Sequence, residues 1–213
     1  MNIRINIYDF FAYTAPGGLY VLLVVYFLSK QQVINWGNWE LSVVHLIIAV
    51  AAAYILGVIG DEIKTKTWLR LFRRRGLYQA TMEEFSSRNA HVKVDWAKMD
   101  WFILVSYIRK TNYEMAADVE HLNVSSIMYR NVSFALLLFS IVSTVEFISG
   151  NYSIYLIITF IVFLTSSVIM VKRAVELQKW FFQAIFQSII AISMSEKDLP
   201  VSVLSSGNTK LSK

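Results

Sequence analysis

Cysteine is absent from the 213 residues. This removes disulfides, thiolate catalysis and Cys-based zinc sites together. Charge is scarce: Asp, Glu, Lys and Arg make up 16% of the chain, where a soluble domain has roughly 25%. Too few charges exist to cover the surface of a 24.5 kDa protein unless lipid covers part of it. The catalytic signatures are missing as well. There is no Walker loop, no dinucleotide fingerprint and no nucleophile elbow. Arg88-Asn89-Ala90-His91 is too tightly spaced for a ribonuclease-type Arg…His pair, and no His follows Arg130. What the chain has is apolar: 56% hydrophobic residues, 15% aromatic, mean hydropathy +0.49. That excludes a disordered or nucleic-acid-coating protein, which needs low hydrophobicity and high charge.

A membrane span needs about 20 apolar residues, because hydrocarbon ~30 Å thick is crossed at ~1.5 Å per helical residue. Four runs qualify. Phe10 to Ser29 and Leu41 to Gly60 carry no charge; Asn131 to Gly150 carries only Glu146; Tyr152 to Val171 ends at Lys172-Arg173. The last two are joined by a tight turn at Gly150-Asn151. The basic residues give an orientation. Of 20 Lys/Arg, 12 lie between spans two and three and 6 follow span four. By the positive-inside rule both termini and the central segment are cytoplasmic. The net charge of +5 is then an orientation signal, and direct nucleic-acid binding is not expected. Trp36 and Trp39 in the outer loop suit the membrane interface.

The spans carry a few informative side chains. Pro16-Gly17-Gly18 interrupts the first, because Pro has no N–H to give a continuous helix. The break is either a tolerated kink or a broken helix lining a cavity. In span two, Ala49, Ala53 and Gly57 lie on one row with His45 and Asp61. Such a small-residue row lets another helix approach closely, within the chain or between copies. His45 and Glu146 are the ionisable residues inside the spans, tyrosines aside. Each lies four residues, or about 6 Å, from the outer end of its span. They are expected either to pair or to reach water separately. Ser140, Ser143, Thr144, Thr159, Thr165, Ser166 and Ser167 are expected to bond their own backbone at i−4.

The expected architecture is an all-α polytopic membrane protein with five parts. Residues 1–60 hold spans one and two, and 61–130 form a helical cytoplasmic subdomain. Residues 131–171 form the hairpin of spans three and four. Residues 172–195 form an amphipathic helix, interfacial or packed on a partner. Residues 196–213 form a disordered tail. Span two is expected to continue to Arg75 and stop at Gly76. Arg70, Arg73, Arg74 and Arg75 would then meet anionic headgroups or a partner. Thr81-Met82-Glu83-Glu84 has a capping-box spacing. Asp95 and Asn112 are candidate caps for two further helices, the second continuing through Arg130 into span three. In the helix after Lys172, Val175, Phe182, Ile185, Ile189 and Ile192 share a side opposite Glu176, Lys179, Gln183 and Gln187. Glu114, Asp118 and His121 share a face, but the second copy and further carboxylates of a metal-binding bundle are missing. No metal and no cofactor are expected.

Three short motifs carry a resemblance. Tyr13-Thr14-Ala15-Pro16-Gly17 places a Pro-Gly early in span one, and Ala53-Tyr54-Ile55-Leu56-Gly57 gives span two a Tyr/Gly end. Tyr129-Arg130-Asn131 leads into span three. The layout resembles small multi-spanning proteins of bacterial anti-phage and CRISPR-accessory loci, such as the membrane subunit of the Kiwa system. Val58 stands where some members have a His. The resemblance implies a non-enzymatic sensor or effector in the bacterial inner membrane, working as an oligomer with a soluble cytoplasmic partner. The alternative is a small channel or transporter that uses the break in span one and the His45/Glu146 pair.

Overall fold

Long uncharged runs can satisfy their backbone only by helix, and helix is what forms. The structure, a computed structural model, describes residues 7–32, 42–68, 74–89, 100–150 and 152–195. It contains α1 (Ile7–Lys30), α2 (Val43–Trp68), α3 (Arg74–Arg88), α4 (Trp101–Thr111), α5 (Tyr113–Ile148) and α6 (Ile154–Ser195). No strand occurs among the described residues. Four helices are long and apolar enough to cross a membrane: Phe10–Lys30, Val43–Ile63, Tyr113–Ile148 and Ile154–Met194. They overlap the four runs read from the sequence. The protein is all-α and membrane-embedded.

The chain packs as two units. One holds Met1–Leu71 and Val124–Glu176, the other Phe72–Asn123 and Leu177–Lys213. α5 and α6 both run beyond their apolar stretches, α5 through Arg130 as expected. α6 is a single helix of 42 residues, and α5 one of 36. Each contributes to both units.

Local capping explains some ends and corrects others. Asn112 caps α5, its side chain accepting from Met115 N–H at 3.1 Å. Ser153 Oγ accepts from Tyr155 N–H at 3.3 Å and opens α6. Gly150, with φ of +99°, takes the left-handed turn between α5 and α6 that a side chain would disfavour. α4 starts at Trp101 on Asp100, whose carboxylate accepts from Phe102 N–H at 3.0 Å; Asp95 lies outside the described residues. Gly76 does not stop a helix, and Thr81 does not start one. Both sit inside α3, where Thr81 is buried and donates to Leu77 C=O at 2.7 Å. A hydroxyl bonded back to i−4 is compatible with a helix interior, and burial fixes it there.

In the first unit, α1 and α2 cross at glycine. A Cβ added to Gly17 would fall on the Ala53 carbonyl, and one added to Gly57 on the Tyr13 carbonyl. Each backbone thus fills the space that the other helix leaves empty, with a Cα–H directed at a carbonyl oxygen; such contacts contribute about 0.5–1 kcal/mol each. Phe10 stacks on Tyr54, with centroids 5.7 Å apart. α5 and α6 are antiparallel and joined by serines. Ser133 Oγ donates to Ser167 C=O at 3.0 Å, and Ser167 Oγ donates to Ser133 C=O at 2.9 Å. Further along, Ser126 Oγ donates to Ala174 C=O at 2.9 Å.

The second unit has an ordinary hydrophobic core. Phe85 of α3, Leu104 and Ile108 of α4, and Ala116 and Val119 of α5 surround Phe181, Phe182, Ile185, Phe186, Ile189 and Ile192 of α6. From Phe181 to Ile192 the apolar side of the 172–195 helix packs within the chain. That side forms the core of this unit. Glu176, Lys179 and Gln187 are exposed, as their spacing predicts. Tyr78 packs against Phe182 and Phe186, at 5.2 and 5.7 Å between centroids. Burial raises its phenol above the usual tyrosine range, and the nearby Asp100 charge raises it further. Arg109 Nε donates to Glu120 at 2.9 Å and ties α4 to α5.

Candidate functional site

Within the first unit, polar side chains gather at two levels of the α1–α5 contact. The first level is at the Lys30 end. Glu146 lies near the C-terminal end of α5, where the backbone leaves its last carbonyls without helical donors. Its carboxylate is only 8% exposed and takes Lys30 Nζ at 2.6 Å. The same oxygen accepts from the Tyr26 hydroxyl. Tyr26 and Lys30 are four residues apart on α1, so both reach one side of the helix. Lys30 remains half exposed, at 52%. The ammonium therefore stays hydrated on one side while neutralising a nearly enclosed carboxylate on the other. A carboxylate left alone in that position would carry a desolvation penalty of several kcal/mol.

His45 and Glu146, expected either to pair or to reach water separately, have different partners. His45 lies at the third position of α2 and closes its N-terminus. Ser42 N–H donates to His45 Nδ1 at 3.3 Å, His45 N–H donates to Ser42 Oγ at 3.4 Å, and Ser42 Oγ lies 2.8 Å from Nδ1. This is the reciprocal logic of a capping box, with an imidazole where a Glu usually stands. A full positive charge on Lys30 is also the stronger partner for a carboxylate. Depth alone pointed to His45, and it left out Lys30 because that residue ends the uncharged run. The i, i+4 relation of Tyr26 and Lys30 was the available signal.

The second level is the crossing of α1 and α2. Tyr20 is buried, and its hydroxyl donates to Asn131 C=O of α5 at 3.3 Å. A Cβ on Gly60 would sit 2.6 Å from the Tyr20 ring. One tyrosine thus touches α2 and α5 together. Asn131 is fully buried, and Arg130 precedes it. Ser126, Ser133 and Ser140 of α5, all buried, recur at seven-residue intervals. The seven-residue spacing of Ser126 and Ser133, both bonded to α6, was the missed signal for the α5–α6 contact.

The remaining expected sites divide plainly. α1 runs without interruption through Pro16, Gly17 and Gly18, so span one is not broken into half-helices. Pro16 is fully buried, and Gly17 lies against α2. The motif is a packing surface, and a helix held this closely tolerates the missing proline donor. Gly18 has no neighbour at its Cβ position. Of the small-residue row, Ala53 and Gly57 are buried against α1 while Ala49 is exposed. The row therefore serves packing inside the chain over half its length. The span hydroxyls bond backwards as expected at Ser143, Thr144, Thr159 and Thr165. Ser140 reaches i−3 instead, and Ser167 crosses to Ser133. Glu114, Asp118 and His121 are exposed on α5, and no metal-holding cluster of acidic and His side chains occurs among the described residues. Arg74 and Arg75 open α3; Arg70, Arg73, Trp36, Trp39 and residues 196–213 lie outside the described residues.

No protein-family model matches this chain, and neither a curated protein nor a solved structure does.

Proposed function

We propose that the protein is a non-enzymatic sensor or effector subunit of the bacterial inner membrane, acting in anti-phage defence as an oligomer with a soluble partner. In this reading both termini are cytoplasmic, Lys30 and Glu146 mark the outer face, and the second unit offers the partner surface. The observation that carries it is the continuity of α5 and α6. Each is one unbroken helix that contributes residues to both units. A disturbance at the Tyr26–Lys30–Glu146 cluster enters α5 within a few residues of its end. It then has a covalently continuous, hydrogen-bonded path into the second unit, whose core α5 and α6 help to build. The three motifs of the resemblance support the reading at one place. Tyr13, Gly17 and Gly57 form the α1–α2 crossing, and Asn131 joins it through Tyr20.

The transport alternative drew on a broken first span and a His45–Glu146 pair. α1 is continuous, and the two residues have other partners, so the sensor reading keeps more of its support.

The test is expression in a phage-sensitive host, scored by plaque numbers, with liposome flux measured on the same protein. The expected result is fewer plaques with the wild type, protection lost with Glu146→Gln, and no selective flux. A selective ion flux abolished by Glu146→Gln, with plaque numbers unchanged, overturns the proposal in favour of transport.

A further inference from the structure

The second unit is not uniformly polar on its outside. At the start of α4, Phe102 and Ile103 are 62% and 67% exposed, and on α6 Trp180 is 45% exposed. These residues belong to one end of the unit. Trp101 stacks on Phe102, with centroids 3.6 Å apart, and meets Phe181 and Phe182 edge-on at 5.6 and 6.4 Å. Among the α6 residues of the core, which run from Phe181 to Ile192, those are the first two. α3 meets α6 from Phe182, where Tyr78 packs at 5.2 Å, to Phe186, where Phe85 packs at 5.2 Å; among the described ring contacts only Trp101 reaches Phe181 from another helix.

Distance along α6 says what lies at that level. If hydrocarbon begins at Ile154, about 20 residues cross ~30 Å and end near Ala174; the headgroup layer adds about 5–8 Å, or four to five residues, ending near Lys179. Trp180 and Phe181 then sit where headgroups give way to water. Rings with a polar edge collect at this depth. The opposite end of α6 carries its own exposed pair, Tyr152 and Tyr155. Lys172 and Lys179 are exposed along the same stretch, as suits anionic headgroups.

We propose that Trp101, Phe102, Ile103 and Trp180 form an interfacial anchor. It seats this end of the second unit at the outer edge of the headgroup layer of the bilayer that α6 crosses, with Lys179 on anionic lipid. The proposal rests on α6 being a span. It turns the second unit from a domain hanging free in solvent into one held at the membrane surface, where lipid composition acts on it directly.

The absence of native cysteine allows a clean test. Single-cysteine variants Ile103→Cys, Ser87→Cys and Ile161→Cys of the full chain carry a fluorophore in vesicles of phosphatidylcholine and phosphatidylglycerol. Quenching is compared for aqueous iodide, a lipid nitroxide near the headgroup and one at mid-chain. The expected result is several-fold stronger quenching at position 103 by the shallow nitroxide than by iodide, and the reverse at exposed position 87. Phe102→Cys repeats the reading one residue away, in case the first label disturbs the stack. Iodide quenching at 103 equal to that at 87 overturns the anchor, because the patch then faces water. Shielding from both quenchers overturns it in favour of a protein cover, a second copy or a partner. A label at position 161 insensitive to the mid-chain nitroxide instead removes the spanning reading of α6, a separate failure.

Discussion

The two units are built inside out relative to each other. In the first, most buried positions are small or polar, among them Ala12, Ala53, Ala135, Ser126, Asn131, Ser133, Ser140, Ser143 and Glu146, with Tyr20 and Leu23 the large exceptions. Its large apolar side chains, such as Leu22, Ile47, Val145 and Ile161, point outward. In the second, phenylalanine and isoleucine are enclosed and charge is outside. One chain therefore uses two driving forces. Water drives the second unit together by expelling apolar area. Lipid gives no such drive between helices, so the first unit depends on close backbone approach and on hydrogen bonds that avoid unsatisfied polar groups.

The sharpest way to break this contrast is to add one methyl group to the first unit. Gly57→Ala or Gly17→Ala directs a Cβ into a backbone carbonyl that cannot step aside. The expected outcome is loss of monodisperse protein in detergent size-exclusion chromatography. Removing atoms is the matching test in the second unit. Phe186→Ala leaves a cavity in a fully buried aromatic cluster and is expected to destabilise by about 3–5 kcal/mol in denaturant titration. An aggregated Phe186→Ala beside a well-folded Gly57→Ala would reverse the comparison.

The ion pair comes next in size. Glu146→Gln keeps the shape and removes a charge-assisted hydrogen bond, for an expected loss of about 1–2 kcal/mol. Its dependence on Lys30 is the sharper measure. A double-mutant cycle of Lys30→Ala with Glu146→Gln should show coupling, and the cycle of His45→Ala with Glu146→Gln should be additive. The smallest effect is on pH. The Tyr78 phenol is raised in the folded state, so the neutral form is the one the core favours. Its contribution is complete below about pH 10, where the unfolded phenol titrates, and is lost as pH climbs toward the folded value. Tyr78→Phe should flatten the alkaline loss of stability of the wild type, and equal slopes would exclude burial of this hydroxyl as a source of it.

The spans were legible because 20 uncharged residues in a row have few alternatives. The α5 cap was legible because Asn112 stands directly before a periodic stretch. Other signals were degenerate. Asp100, which caps α4, is no different in type from Asp95, and the start of the buried stripe at Leu104 was the signal that pointed to it. Gly76 and Thr81 look like punctuation, yet burial of Leu77, Thr81 and Phe85 carries α3 past both. Span four and the amphipathic helix after Lys172 were read as two elements because charge marks the end of hydrocarbon; α6 is one helix through both. The Tyr26–Lys30–Glu146 cluster stayed hidden because a lysine at the end of a run looks like a boundary. Small residues showed that α2 had a close neighbour, but a surface without side chains does not identify it.

The reciprocal glycine crossing has a consequence for how this chain can vary. Every amino acid one base change from glycine carries a Cβ, so either codon is a single step from a collision. A compensating change normally shrinks the residue opposite. Here the residue opposite presents its carbonyl, which is the same in all twenty amino acids. Position 17 and position 57 therefore have no local suppressors, and a revertant at either should restore glycine itself or move a whole helix.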